Sequence, residues 1–322
     1  MDLHPSGRQV RSAVLSGARH SLGRMTDGDG VAAAEAAIDP AAEAPRRPAL
    51  SPSRAADFKM CPLLYRFRAI DKLPERPGRA RVRGTLVHSV LERLFDLPAP
   101  QRSPEAAAAL VEPVWHELVA ALPELVDGLF AGSDDPELAE WLASVAPLLA
   151  TYFRLEDPQA VEPVARELLL ETELASGVVL RGYVDRLDEG PAGLRVIDYK
   201  TGASPRPVSE LKALFQLKFY ALALLQDRGV VPDELRLYYL ADGETLTYRP
   251  DEPELRRFAR ILDALWVAIR EAGRTGDFPP NPGRMCQYCD HQAVCPAWGG
   301  TPPPYPGWPV APDADEPVIL AS

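Results

Sequence analysis

A chain of 322 residues with 46 % hydrophobic content can bury one large core or two smaller ones. Its net charge of −11 argues against a protein that coats nucleic acid indiscriminately. No apolar run approaches the ~18 residues of a membrane span, and the N-terminal stretch lacks the apolar segment of a secretory signal, so a cytoplasmic protein away from membranes is expected.

Residues 1 to about 50 mix Ala, Gly, Pro and charge without apolar periodicity and read as a disordered tail, with Met25 as an alternative start. Order is expected from Ser51 or Ser53, which would cap a helix carrying Phe58, Leu64 and Phe67. A basic connector, KLPERPGRARVRG, leads into a second amphipathic helix, TLVHSVLERLFDL. From Ser51 to Phe95 there are ten Lys/Arg against four Asp/Glu, a local balance of +6 inside an acidic protein. Residues 104 to 154 read as a mostly helical insert broken at Pro123, at GSDDP and at Pro147.

The period then changes from helical to alternating. ARELLLETEL, VVLRGYVDRLDE and GLRVIDYKTG are strand-like runs separated by the turn-formers ASG and EGPAG, an antiparallel meander. A helix from Ser209 to Gly229, strands ELRLYYLA and TLTYRP, and a long helix from Glu252 to about Gly273 complete the order. Helix, three strands, helix and strand describe an α/β core with a mixed sheet. Residues 299 to 322, rich in Pro, read as a second disordered tail, leaving one domain over 51–298.

Polar residues on these apolar elements mark a candidate site. Asp198 and Lys200, two apart on a strand, project to one face roughly 7 Å apart along the backbone. Alone, they could be a strand-end ion pair. A hairpin through EGPAG would bring Asp185 near them, and His88 sits among Leu86, Val87, Val90 and Leu91. An imidazole with two carboxylates suits Mg²⁺ or Mn²⁺, and Lys200 could then orient a water and offset transition-state charge. Gln216 and Tyr220, four apart on the next helix, could reach the same cleft. Glu171 and Glu92 are further carboxylates within reach of these elements.

Four cysteines stand apart from this set: Cys61, then Cys286, Cys289 and Cys295 as C-x2-C-x5-C. Three thiols within ten residues read as metal ligation, either tetrahedral zinc or a [4Fe-4S] cluster, with His291 able to replace one thiol at zinc. Either would tie the first ordered helix to a segment about 225 residues further on.

The motifs GTLVH, GYVDRLD, VIDYKTG and QLKFY, framed by one early cysteine and a terminal C-x2-C-x5-C, resemble the RecB-like branch of the PD-(D/E)XK nuclease superfamily. The cysteine frame is most similar to its iron-sulfur members, the AddB C-terminal nuclease domain and the CRISPR-associated exonucleases. The resemblance spans roughly residues 51 to 297. It implies a restriction-endonuclease-like α/β core: a mixed sheet flanked by helices, a helical insert, and a metal-cluster staple joining the domain's two ends. It further implies that His88, Asp185, Asp198 and the Tyr199 carbonyl bind the catalytic Mg²⁺ or Mn²⁺. Lys200 would position the attacking water, and Gln216 and Tyr220 would support the site. Cys61, Cys286, Cys289 and Cys295 would hold a structural [4Fe-4S] cluster. The implied reaction is hydrolysis of DNA phosphodiesters from single-stranded ends, in repair or recombination. No G-x4-G-K-[ST] loop is present, so any helicase would be a separate subunit. A non-cleaving DNA-binding subunit of a repair or CRISPR adaptation complex, and a zinc-stapled protein of other function, stay open.

Overall fold

A computed structural model describes residues 48–308 apart from 77, 122, 124–127, 133–134 and 206. The expected N-terminal tail up to residue 47, and the chain from 309 onward, lie outside the described residues.

The domain is built on a six-stranded mixed sheet. A two-residue strand β1 (Ala49–Leu50) precedes α1 (Pro52–Met60) and α2 (Pro62–Tyr65), and five π-helical residues follow at Arg66–Ile70. Ser51 caps α1 by accepting the Arg54 N–H at 3.2 Å. Four helices come next: α3 (Arg79–Leu94), α4 (Pro104–Ala121), α5 (Pro136–Ala143) and α6 (Ala146–Leu155). Three strands follow, β2 (Pro163–Glu173), β3 (Val179–Gly190) and β4 (Gly193–Lys200). The chain ends its regular structure with α7 (Pro207–Arg228), β5 (Glu234–Tyr239), β6 (Glu244–Tyr248) and α8 (Glu252–Thr275).

The strand order is β1-β3-β4-β5-β6, with β2 paired to β3. The meander β2-β3-β4 is antiparallel, and α7 is the crossover that makes β4 and β5 parallel. β1, which its short length hides from sequence periodicity, pairs parallel with β3 at Val179 and Leu180.

Helices cover both faces of the sheet. On one face Leu180, Val184, Leu187, Val196, Leu235 and Leu237 pack against α1, α2, α7 and α8. On the other, Ile197, Tyr199, Tyr238 and Leu240 pack against α3 and the helices of the insert. α8 shows why its sequence folds as it does. Asp251 caps it, Gly276 ends it at φ 74°, and Leu255, Phe258, Leu262, Trp266 and Ile269 recur every three or four residues on its buried stripe. Each such side chain stabilises the fold by roughly 1.5–3 kcal/mol relative to exposure.

The Pro-rich segment expected to be disordered is ordered over its first part. Trp308 lies against Trp266, and Tyr305 donates to the Gly273 carbonyl at 2.7 Å. Gly273 permits this contact, because a Cβ there would lie 2.1 Å from the Trp308 ring. Among the described residues no helix is long and apolar enough to cross a membrane.

Candidate active site

β3 and β4 form a hairpin in which Gly190 faces Gly193 and Arg186 faces Ile197. The same register would set Asp185 against Asp198, but the ladder stops at Arg186. Two carboxylates opposite each other repel, and here the strands part. Asp185 Oδ2 instead accepts the Tyr199 N–H at 2.6 Å.

The alternation of side chains breaks at the same level. Val184 and Leu187, three apart, both enter the α7-side core, whereas Arg186 lies on the other side against Tyr152 and Tyr199. β2 turns over alongside: Ala165 and Leu168 both pack on the α7 side, and Glu167 between them has a φ of 44°. A left-handed backbone at a glutamate costs about 1–2 kcal/mol. Since Arg166 pairs with Arg186 and Leu168 with Val184, this strained residue stands opposite Asp185.

α3 supplies the imidazole. Its Val87 and Leu91 are fully buried, which holds half-buried His88 over the sheet with Nδ1 3.4 Å from Asp185 Oδ2. One ligand atom each from His88, Glu167 and Asp185 lies within 4.8 Å of the others. A nitrogen and two carboxylate oxygens in that space fit a divalent cation of hard or borderline character.

Asp198 is buried beside this group. Its Oδ1 lies 2.5 Å from Lys200 Nζ, and its Oδ2 accepts from Gln216 Nε2 at 2.8 Å. Gln216 Nε2 also donates to the Tyr220 hydroxyl at 3.0 Å. Tyr220 can lie there because residue 182 is glycine: a Cβ would come within 3.1 Å of its ring.

Electrostatics reflect the crowding of acids. Burial, with the Asp185 charge second, pushes the Asp198 carboxyl up to about 6. Burial and the same Asp185 charge raise Glu167 to about 7. Burial pulls the His88 imidazole down, but the hydrogen bond and charge of Asp185, with Asp198 behind it, outweigh that and hold it above its usual value.

Behind the site lies a buried cation. Arg186 donates to Asp188 through Nε and Nη2, both at 2.9 Å, and to the Tyr199 hydroxyl at 2.9 Å. It forks onto Glu156 as well, with Nη2 2.8 Å from Oε2 and a shorter Nη1 bond to Oε1. Burial alone would raise Glu156, but hydrogen bonds and charge from Arg186 lower it. Tyr199 therefore has its phenol fixed by Arg186 and its N–H on Asp185.

Residues 49–296 match the family model of the PD-(D/E)XK nuclease superfamily. The chain belongs to the PD-(D/E)XK nucleases. It is 27 % identical over 271 residues to the Gene 69 protein of Mycobacterium phage D29, covering 78 % of this chain and 97 % of that one. It is also 28 % identical over 155 residues to the CRISPR-associated exonuclease Cas4 of Aeropyrum pernix, covering 47 % and 72 %. In fold it is similar to the crystal structure of a candidate exonuclease from Eubacterium rectale, with a TM-score of 0.52 at 14 % identity, covering 76 % and 87 %. The mixed sheet flanked by helices is the restriction-endonuclease-like core of this superfamily, and its nucleases use divalent metals, for which the His88, Glu167 and Asp185 group provides donors.

Within this PD-(D/E)XK nuclease, His88 contacts Asp185, which accepts from the Tyr199 N–H, while Asp198 contacts Lys200 and Gln216, and Gln216 contacts Tyr220. Glu171 stands apart, paired with Arg181 at 2.5 Å on the exposed surface. Sequence reading chose Glu171 and Glu92 as extra carboxylates and passed over Glu167. An unbroken strand period places Glu167 and Glu171 on one face, and only the Asp185 register would have singled out Glu167.

The cysteines lie apart from this group. All four thiols line a pocket of about 530 Å³ between α1 and the C-terminal segment. The Asn281 N–H lies 3.4 Å from Cys61 Sγ, and Asn281 Nδ2 donates to the Met60 carbonyl at 2.8 Å. Burial, and the charges of Cys286, Cys295 and Cys61 after it, raise the Cys289 thiol. No three of these sulfurs lie within 4.8 Å of one another among the described residues. His291 is turned away from them, buried against Phe67 with Nε2 3.4 Å from Glu75.

Proposed function

We propose that this nuclease is a Mg²⁺- or Mn²⁺-dependent deoxyribonuclease that hydrolyses single-stranded DNA from a free end in repair or recombination. The observation that carries it is the convergence of the His88, Glu167 and Asp185 donors beside the Asp198–Lys200 pair. His88, Asp185 and Asp198, with the Tyr199 carbonyl and Glu167, would hold the ion. When bound, it would polarise the scissile phosphate and ease deprotonation of water.

The chain's own groups do the rest. Lys200, one-third exposed beside Asp198, donates to a water in front of the phosphorus and offsets negative charge as it builds there. Gln216 and Tyr220 fix the second oxygen of Asp198, so that its first stays aimed at the cleft. The Tyr199 N–H holds Asp185 in place. A separate helicase would deliver the unwound strand.

A [4Fe-4S] cluster would be held by Cys61, Cys286, Cys289 and Cys295, which line one pocket. The similarity of this cysteine frame to the iron-sulfur members of the family supports the cluster over a single zinc.

The test incubates purified protein with Mg²⁺ or Mn²⁺ on end-labelled linear single strands and on closed circles. Linear strands should be degraded and circles spared, and Lys200→Ala or Asp198→Ala should cut activity at least about a hundredfold. Cleavage surviving both substitutions rejects the assignment.

A further inference from the structure

β2 pairs with one edge of β3 between Val179 and Asp188, with a register shift between Pro163 and Ala165. The opposite edge is shared: β1 pairs at Val179 and Leu180, and β4 from Arg186 to Gly190. Between them, no strand pairs with that edge over residues 181–185, among the described residues. The gap opens into a groove of about 630 Å³, walled by the start of α1 and by α7. One end reaches Gln216 and Tyr220, which hold Asp198.

The lining has a definite chemistry. Arg54, Arg68, Arg181 and Lys212 face it against one acid, Asp57. Arg68 is engaged by Asp57 and Glu75, and Arg181 by Glu171, which leaves Arg54 and Lys212 as the cations for a ligand. Tyr183 is among the lining residues and 56 % exposed, an unusual state for a large aromatic on a central strand. The depression that His88 and Glu167 themselves line is different, adding Glu92 against Arg81. Without a bound cation, the first attracts an anionic chain more strongly than the second.

We infer that this groove binds the nucleotides of a single DNA strand next to the one being cut, with Tyr183 as a stacking platform and Arg54 and Lys212 as phosphate contacts. The inference rests on the proposed activity and specifies how its substrate lies. Stacking on an exposed ring needs an unpaired base, so the groove itself selects single strands. Two phosphate contacts make the affinity salt-dependent.

The experiment measures binding of labelled oligothymidylate by anisotropy in a Lys200→Ala background, where the strand survives. Tyr183→Ala should weaken binding about tenfold or more, and Tyr183→Trp should retain it. Arg54→Ala with Lys212→Ala should lower the salt slope of log K by about 1.4. A strand bearing 5-iodouracil should crosslink to Tyr183, a readout independent of turnover. If the wild type degrades DNA while all groove variants bind within twofold of their parent and no crosslink forms, the groove assignment falls alone. A wild type that neither binds nor cuts DNA overturns the proposed activity along with it.

Discussion

The Tyr199 N–H donates to the Asp185 carboxylate at 2.6 Å, so an acidic side chain takes the place of the next rung of the β3–β4 ladder. Asp185 is thus a structural acceptor as well as a proposed metal ligand. Asparagine keeps a carbonyl acceptor there, whereas alanine leaves a buried N–H without one. Asp185→Asn should hold stability within about 0.5 kcal/mol while abolishing activity, and Asp185→Ala should lose about 1–3 kcal/mol in urea unfolding. Equal stability of the two variants would show that the hydrogen bond does not matter.

The raised carboxyls fix how pH and metal act together. The Asp198 value rises from 3.8 to about 6 and that of Glu167 from 4.5 to about 7, so the folded state keeps these protons longer than the unfolded chain. Stability without metal is then greatest below about pH 4 for these two groups, and is lost as pH rises toward 7. A divalent ion needs the ionised forms, so its binding releases protons. Thermal melting with and without Mn²⁺ should show a large metal-induced rise at pH 8 and little at pH 5. The same rise at both values would count against these carboxyls as ligands.

Glu167 and Glu171 give a paired comparison four residues apart. Glu167→Gln should lower metal affinity and turnover at least about tenfold, whereas Glu171→Gln, which loses only a surface pair with Arg181, should leave both within twofold. Glu167→Gly should be inactive yet more stable by about 1 kcal/mol, because glycine relieves the φ of 44°. A loss of stability in that variant would mean that the glutamate's contacts outweigh its backbone strain.

For the cysteines, anaerobic purification should give a brown protein with about four irons per chain. Cys61→Ala should remove the iron and sharply lower the unfolding temperature, since the ligand sets lie at the two ends of the domain. Stoichiometric zinc in place of iron would reject the cluster.

Much of this was legible from the chain. The strands β2 to β5, α7 and α8 follow from hydrophobic period and turn residues, and Asp198, Lys200, Gln216 and Tyr220, singled out by the D-x-K and Q-x3-Y spacings, form one chain of contacts. What escaped depends on long-range registration. β1 is two residues long and exists only because β3 accepts it. Glu167 becomes part of the site through a backbone reversal that no alternation rule contains. Residues 299–308 look like a tail in composition, but Tyr305 and Trp308 dock where Gly273 leaves room.

The buried Arg186 also bears on how such a domain can be remodelled. Glu156, just after α6, and Tyr152, within it, come from the far side of the helical insert, yet they ground the charge that steadies Tyr199. Excising the insert would remove Tyr152 and the α6 end that presents Glu156, leaving Asp188 as the remaining partner of Arg186, and a chimera that exchanged it for another would have to restore the second counter-ion. The insert and the catalytic hairpin are therefore expected to change together, as one unit of design.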